Sequence, residues 1–181
     1  MNAQQTNELP FSEIPTAPKS YTVGNILARM VDGLGYRFYW ASDSLTAQDL
    51  AYRPSVTGKT CEETILHIYE LSITIKNIAN GEVCIRPNPK VDLNYEELRS
   101  KTLANLLESR NAFLNKTESE IEALKVIFQN ADNRNEFPFW NFINGQLSDA
   151  IYHTGQLVVF RRASGNPING KVNVFLGVNS K

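Results

Sequence analysis

Two histidines occur in the 181 residues, His67 and His153, and each interrupts an apolar stretch of helical period. Asp149 stands four residues before His153, which places the pair one turn apart on one face of an α-helix. Gln146 and Gln156 extend this polar stripe by three residues on either side. The surrounding segment, Trp140 to Arg162, is otherwise rich in apolar residues and reads as one long helix. A polar stripe on such a helix is a solvated outer face, a buried hydrogen-bond network or a site. With His67 projecting inward from a facing helix, His67, Asp149 and His153 make a set of two imidazoles and one carboxylate with open coordination positions. That set suits Zn, Ni, Fe(II) or Mn in an open site rather than a closed structural one. The competing reading is a hydrogen bond from His153 to Asp149 across one turn, with Gln146 and Gln156 satisfying buried polar groups.

Four amphipathic segments must position these residues. The first runs from about Tyr21 to Ser42, with Val23, Ile26, Leu27, Met30, Val31, Leu34, Phe38 and Ala41 at helical period, weakened by Gly33 and Gly35. The second opens on Thr60-Cys-Glu-Glu63, a capping box, and runs to Ala79 before Asn80-Gly81 stops it. Thr64, His67, Leu71, Thr74 and Ile78 share its inward stripe. The third follows Asn94 as N-cap, with Glu96 and Glu97 at the positive end of the helix dipole. The fourth follows Phe137-Pro138 and ends at Gly165, ahead of Asn166-Pro167. Asp43 to Thr57 reads as a loop, and Gln129 to Glu136 as a polar turn. Ser119 to Phe128 stays open between a short helix and a strand-like Val-Ile-Phe ending. Gly81 to Asn94 is long for a simple helical hairpin.

The fold class is therefore all-α, a four-helix bundle with at least one long crossover connection. The bundle spans 20–166. An extended leader over 1–19 packs along it through Phe11 and Ile14, and a short extended tail covers 167–181.

A net charge of -1 gives no electrostatic case for nucleic acid or an anionic membrane as partner. No apolar run approaches the length of a bilayer span. The start MNAQQTNELP lacks the basic and apolar regions of a signal peptide, and Cys61 and Cys84 have no paired spacing. The expected compartment is the cytoplasm. Nothing in the sequence argues for a lowered pKa at Cys61.

The segment Asp149-Ala-Ile-Tyr-His153-Thr-Gly155-Gln156-Leu, followed by Arg161-Arg-Ala-Ser-Gly165, resembles the signature of the DinB-like (YfiT-like) superfamily. There an H-x-x-x-H-x-G-Q pattern on the final helix leads to an R-x-x-G end. Thr60-Cys-Glu-Glu-Thr-Ile-Leu-His67 resembles that superfamily's second helix, which carries a further histidine. The resemblance implies a bundle of unusual connectivity, often dimeric, holding a divalent metal, commonly Ni or Zn with Fe or Mn as further options, on three histidines. It also implies relatives that act as thiol-dependent transferases or isomerases on small-molecule substrates. His67 and His153 match ligand positions, while Asp149 stands where the first histidine of the pair is expected. A carboxylate can hold the same metals, or the change marks a member that has lost its metal.

The functional expectation is a metal-dependent enzyme of thiol transferase or hydrolase type with His67, Asp149 and His153 as ligands, taking a small-molecule substrate such as a low-molecular-weight thiol. The alternative is a non-catalytic helical protein that binds a small molecule or a partner. Gly155 and Gln156 are expected to serve helix packing, Arg161 and Arg162 to be solvated or to cap a helix end, and Glu63 to cap. Tyr36, Tyr39, Trp40, Tyr69, Trp140 and Tyr152 are candidates to line a cleft, and Tyr36 and Tyr39 to face a homodimer partner.

Overall fold

Short polar residues, most with an acidic residue three positions on, set where the helices begin. In the computed structural model, which describes residues 8–181, Thr22 accepts from the Asn25 amide and starts α1 (Val23–Ala41). Reciprocal capping boxes start four more helices. Thr46 with Asp49 opens α2 (Ala47–Ala51), Thr60 with Glu63 opens α3 (Cys61–Ala79), Asn94 with Glu97 opens α4 (Tyr95–Phe113), and Thr117 with Glu120 opens α5 (Glu118–Glu122). A short α6 (Trp140–Phe142) passes through a π-helical turn over Ile143–Leu147 into α7 (Ser148–Ser164). Gly165 closes α7 at a φ of 99°, in the left-handed region that glycine enters without strain.

Hydrogen bonds between the long helices fix their directions. Asn25 at the start of α1 accepts from the amide of Asn115 just past α4, and Arg99 early in α4 donates to the Tyr39 carbonyl late in α1. α1 and α4 are antiparallel. Arg161 near the end of α7 donates to the carbonyls of Trp40 and Ala41 at the end of α1, so these two run the same way. α3 packs on α4 and on α7. Ser72 accepts from Asn105, and Asn80 donates to Glu108, so α3 and α4 are parallel. The connection 80–94 therefore returns along the full length of the 19-residue α3, roughly 28 Å.

That returning chain contributes β1 (Cys84–Ile85), which pairs in parallel with β2 (Lys125–Gln129). β2 in turn forms an antiparallel hairpin with β3 (Arg134–Pro138). Near the C-terminus β4 (Val172–Asn173) pairs with β5 (Val178–Asn179). The core lies between the four long helices, with Leu27, Val31, Leu34, Phe38, Ile65, Ile68, Ile75, Leu103, Leu106, Phe113, Leu147 and Leu157 buried.

Several expectations change. The segment Asp43 to Thr57 holds α2, too short for helical periodicity to reveal. The polar turn is shorter than expected, because Arg134, Asn135 and Glu136 belong to β3, an exposed edge strand with no buried face to pattern. Pro138 ends that strand opposite Lys125 rather than opening a helix. The last helix is broken by the π-helical turn. On α1, Val23, Ile26 and Met30 stay exposed, whereas Tyr36 is fully buried, with its hydroxyl donating to Asn179. Tyr36 thus gives no support to a dimer face. Residues 1–7 of the expected leader lie outside the described residues. Phe11 of the leader is buried against Gly35, where a Cβ would come within 2.5 Å of its ring, and Ile14 donates its amide to Gly177. Among the described residues no helix is long and apolar enough to cross a membrane.

Candidate metal centre

Two helices supply the site. The capping box at Thr60 fixes the start of α3, and His67 follows two turns in, between the buried Thr64 and Leu71 one turn to either side. On α7 the buried stripe is Ala150, Thr154, Leu157 and Arg161, and Asp149, His153 and Gln156 flank it on the side of α3. Side chains on a helix lean toward its N-terminus, which carries the His153 ring over the turn that holds Asp149.

His67 Nε2 lies 3.5 Å from Asp149 Oδ2, and His153 Nε2 lies 3.2 Å from Asp149 Oδ1. The two imidazoles stand edge to face, their centroids 4.5 Å apart at 89°. Taking one donor atom from each residue, all three fall within 4.8 Å of one another. Bonds of about 2.0–2.2 Å to a tetrahedral ion set donor atoms about 3.4 Å apart, so an ion would draw these atoms closer than the 4.8 Å that bounds them. His67, Asp149 and His153 therefore form a cluster that can hold a metal ion. Their side chains are 26%, 43% and 17% exposed, so the carboxylate side opens outward.

Protonation sharpens the picture. His153 Nδ1 lies 3.0 Å from Gln156 Oε1, an acceptor, so Nδ1 carries a proton in this contact. Its Nε2 faces a carboxylate oxygen at 3.2 Å, a contact that either a proton on Nε2 or a cation between the two atoms satisfies. Burial holds the pKa of His67 below its usual value, helped by Lys59 and His153 and opposed by Asp149. Neutral His67 keeps a donor lone pair, and its Nδ1 lies 3.9 Å from Glu70 Oε2.

Asp149 opens onto a cavity of about 380 Å³ lined also by Leu71, Asn144, Gly145, Gln146, Ser148 and Tyr152. The π-helical turn, braced by Ser148 Oγ donating to the Ile143 carbonyl at 2.6 Å, presents the Asn144–Gln146 portion of this wall. Gln146 Oε1 is buried there without a hydrogen-bond partner. An orphaned buried acceptor costs about 1–3 kcal/mol, so the expected role of Gln146 in satisfying neighbours is not what it does.

No family model matches the chain, and no curated protein matches it. Among solved structures, the crystal structure of a DinB-like protein from Bacillus subtilis matches 83% of this chain and 99% of that chain, with a TM-score of 0.57 at 14% identity. The chain has the DinB-like fold. At that identity the likeness concerns the fold alone. The two helices singled out by the resemblance, α3 and α7, are the ones that bring the three residues together.

Other expectations fare differently. Gln156 orients His153 rather than packing a helix, and Gly155 faces open space, with nothing within 4 Å of a built Cβ. Arg161 is buried rather than solvated, and it donates to Trp40, Ala41 and Asn166 across the ends of α1 and α7. Arg162 is exposed. Glu63 caps α3 as expected. Of the candidate cleft aromatics only Tyr152 lines this cavity, while Trp140 borders another. Burial pushes the Cys61 thiol up to about 12, which removes it as a nucleophile. Sequence reasoning missed Glu70, although its spacing of three residues from His67 on one helix face was the available signal.

Proposed function

We propose that this protein is a metal-dependent enzyme on a DinB-like four-helix bundle, formed by α1, α3, α4 and α7 with the connection 80–94 as its long crossover. In this reading His67 Nε2, His153 Nε2 and an oxygen of Asp149 hold one divalent ion. The observation that carries it is the convergence of His67 Nε2 and His153 Nε2 on the Asp149 carboxylate, one donor atom from each residue lying within 4.8 Å of the others, while Gln156 engages the far nitrogen of His153. Imidazole nitrogens favour Ni or Zn, and the carboxylate keeps Fe or Mn within range.

When bound, such an ion acts as a Lewis acid and favours the ionised form of a water or thiol at an open position. The chain's own residues do the rest. Gln156 keeps the proton on His153 Nδ1 and fixes the ring plane. The burial of His67 keeps it neutral at pH 7 and so a donor. The charge of Asp149 offsets part of the ion's charge, which leaves a less acidic water than three imidazoles would. The cavity beside Asp149, with Leu71 and Tyr152 as apolar walls and the amide groups of Asn144 and Gln146, suits a small polar substrate. A low-molecular-weight thiol transferred to an electrophilic carbon, or a small ester hydrolysed, fits this arrangement.

The test is a rate measurement on Zn- or Ni-loaded protein with a panel of low-molecular-weight thiols and an aryl halide or epoxide, and with activated esters. The expected result is metal-dependent turnover of at least one pair, lost in His67→Ala. Full metal loading with no acceleration on any pair would turn the reading to a non-catalytic binding protein.

A further inference from the structure

We propose that Gln146 is a fourth donor of the same site, lending its side-chain carbonyl oxygen to the bound metal. The proposal rests on the reading of His67, Asp149 and His153 as ligands and extends it to a residue outside the His, Cys and acidic types by which such clusters are recognised.

Three observations meet at this residue. Its Oε1 is buried and has no hydrogen-bond partner, unlike the oxygen of Gln156, which His153 engages. Gln146 and Asp149 line one cavity, and Asp149 is the residue that both histidines approach. The residue also belongs to the π-helical turn Ile143–Leu147, a local widening that is rare in helices and concentrates at functional sites. Neighbours one turn apart on a helix are about 5–6 Å apart at Cβ, a gap the long side chain of glutamine spans.

The chemistry agrees with the position. A neutral amide oxygen adds a donor without adding charge. Two imidazoles, one carboxylate and one amide leave a net single positive charge on a divalent ion. Borderline ions accept mixed nitrogen and oxygen sets of this kind. Removing an unpaired buried carbonyl should leave the metal-free protein no less stable, whereas removing a donor should weaken the metal complex. A merely structural glutamine would not separate these two effects.

The experiment compares untagged wild type, Gln146→Leu and Gln146→Glu. Affinity for Zn is read by competition with a chromophoric chelator, the visible spectrum is read after Co(II) loading, and melting is followed without metal. The expected result is a loss of about tenfold or more in Zn affinity and a shifted Co(II) band in Gln146→Leu. Its metal-free melting temperature equals or exceeds that of wild type. Gln146→Glu, which keeps an oxygen in place, binds at least as tightly as wild type. Wild-type affinity and an unshifted band in Gln146→Leu would overturn this inference and leave the three-residue site standing. A Gln146→Glu protein that binds no better than Gln146→Leu would also overturn it. Absence of metal binding in wild type itself would overturn this inference and the reading beneath it together.

Discussion

Gln156 shows how much one hydrogen bond decides. Its amide oxygen accepts from His153 Nδ1 at 3.0 Å, and this contact turns Nε2 toward Asp149. Replacing Gln156 with Leu frees the ring to turn and to carry its proton on either nitrogen, so metal affinity should fall by about 10–100-fold with little change in the metal-free melting temperature. Titration against a chelator measures this, and unchanged affinity would show that Gln156 does not orient the ligand. The three clustered residues were legible because their chemistry depends on spacing, with Asp149 and His153 one turn apart and His67 on the inward stripe of another helix. The role of Gln156 was not, since its place on the stripe does not say which neighbour its amide meets. Tyr36 misled for the opposite reason. A tyrosine looks equally suited to surface and core until its hydroxyl finds a partner, here Asn179.

At the scale of elements, the capping box at Thr60 and the N-cap at Asn94 were readable because the groups that make them are local. What escaped were elements held by distant partners. β3 presents no apolar alternation and exists because its backbone pairs with β2, and the π-helical turn depends on Ser148 reaching back to Ile143. α2 is the clearest case, since it is tied to the end of α7 by the Asp49 carboxylate and by Gln48, which donates to the Ser164 carbonyl. Asp49 is buried and accepts from the Thr46 amide and hydroxyl, from Asn166 Nδ2 at 2.8 Å, and from Ser164 Oγ. Burial alone would raise its pKa, but these donors outweigh it and hold the group at about 2 against an ordinary 3.8. The folded state therefore prefers the ionised form. This contribution, about 2 kcal/mol, is complete above about pH 4 and is lost as the pH falls toward 2. Asp49→Asn should be less stable than wild type by about that amount at pH 7, with the two unfolding curves converging near pH 2. Urea unfolding across this range checks it, and a gap that persists to pH 2 would mean that the charge is not what ties α2 to α7.

Across the whole molecule, helix direction is what makes the site. α3 runs antiparallel to α7, the two are placed along each other so that His67 in the second turn of α3 meets Asp149 and His153 in the first turns of α7, and the returning connection 80–94 permits α4 to lie parallel to α3. Arg161 fastens the ends of α1 and α7, and the leader and tail close over α1 through Phe11 and the Tyr36 to Asn179 hydrogen bond. The four long helical segments and the long connection could be inferred from the sequence, but the directions could not, because they are written in contacts such as Asn25 with Asn115. This scaffold brings three side chains from two helices within 4.8 Å of one another. The most direct measurement is therefore elemental analysis of the protein purified without a histidine tag, alongside His153→Ala. The account predicts about one divalent ion per chain in wild type and its loss in the variant. Substoichiometric metal in wild type, unchanged in His153→Ala, would contradict it.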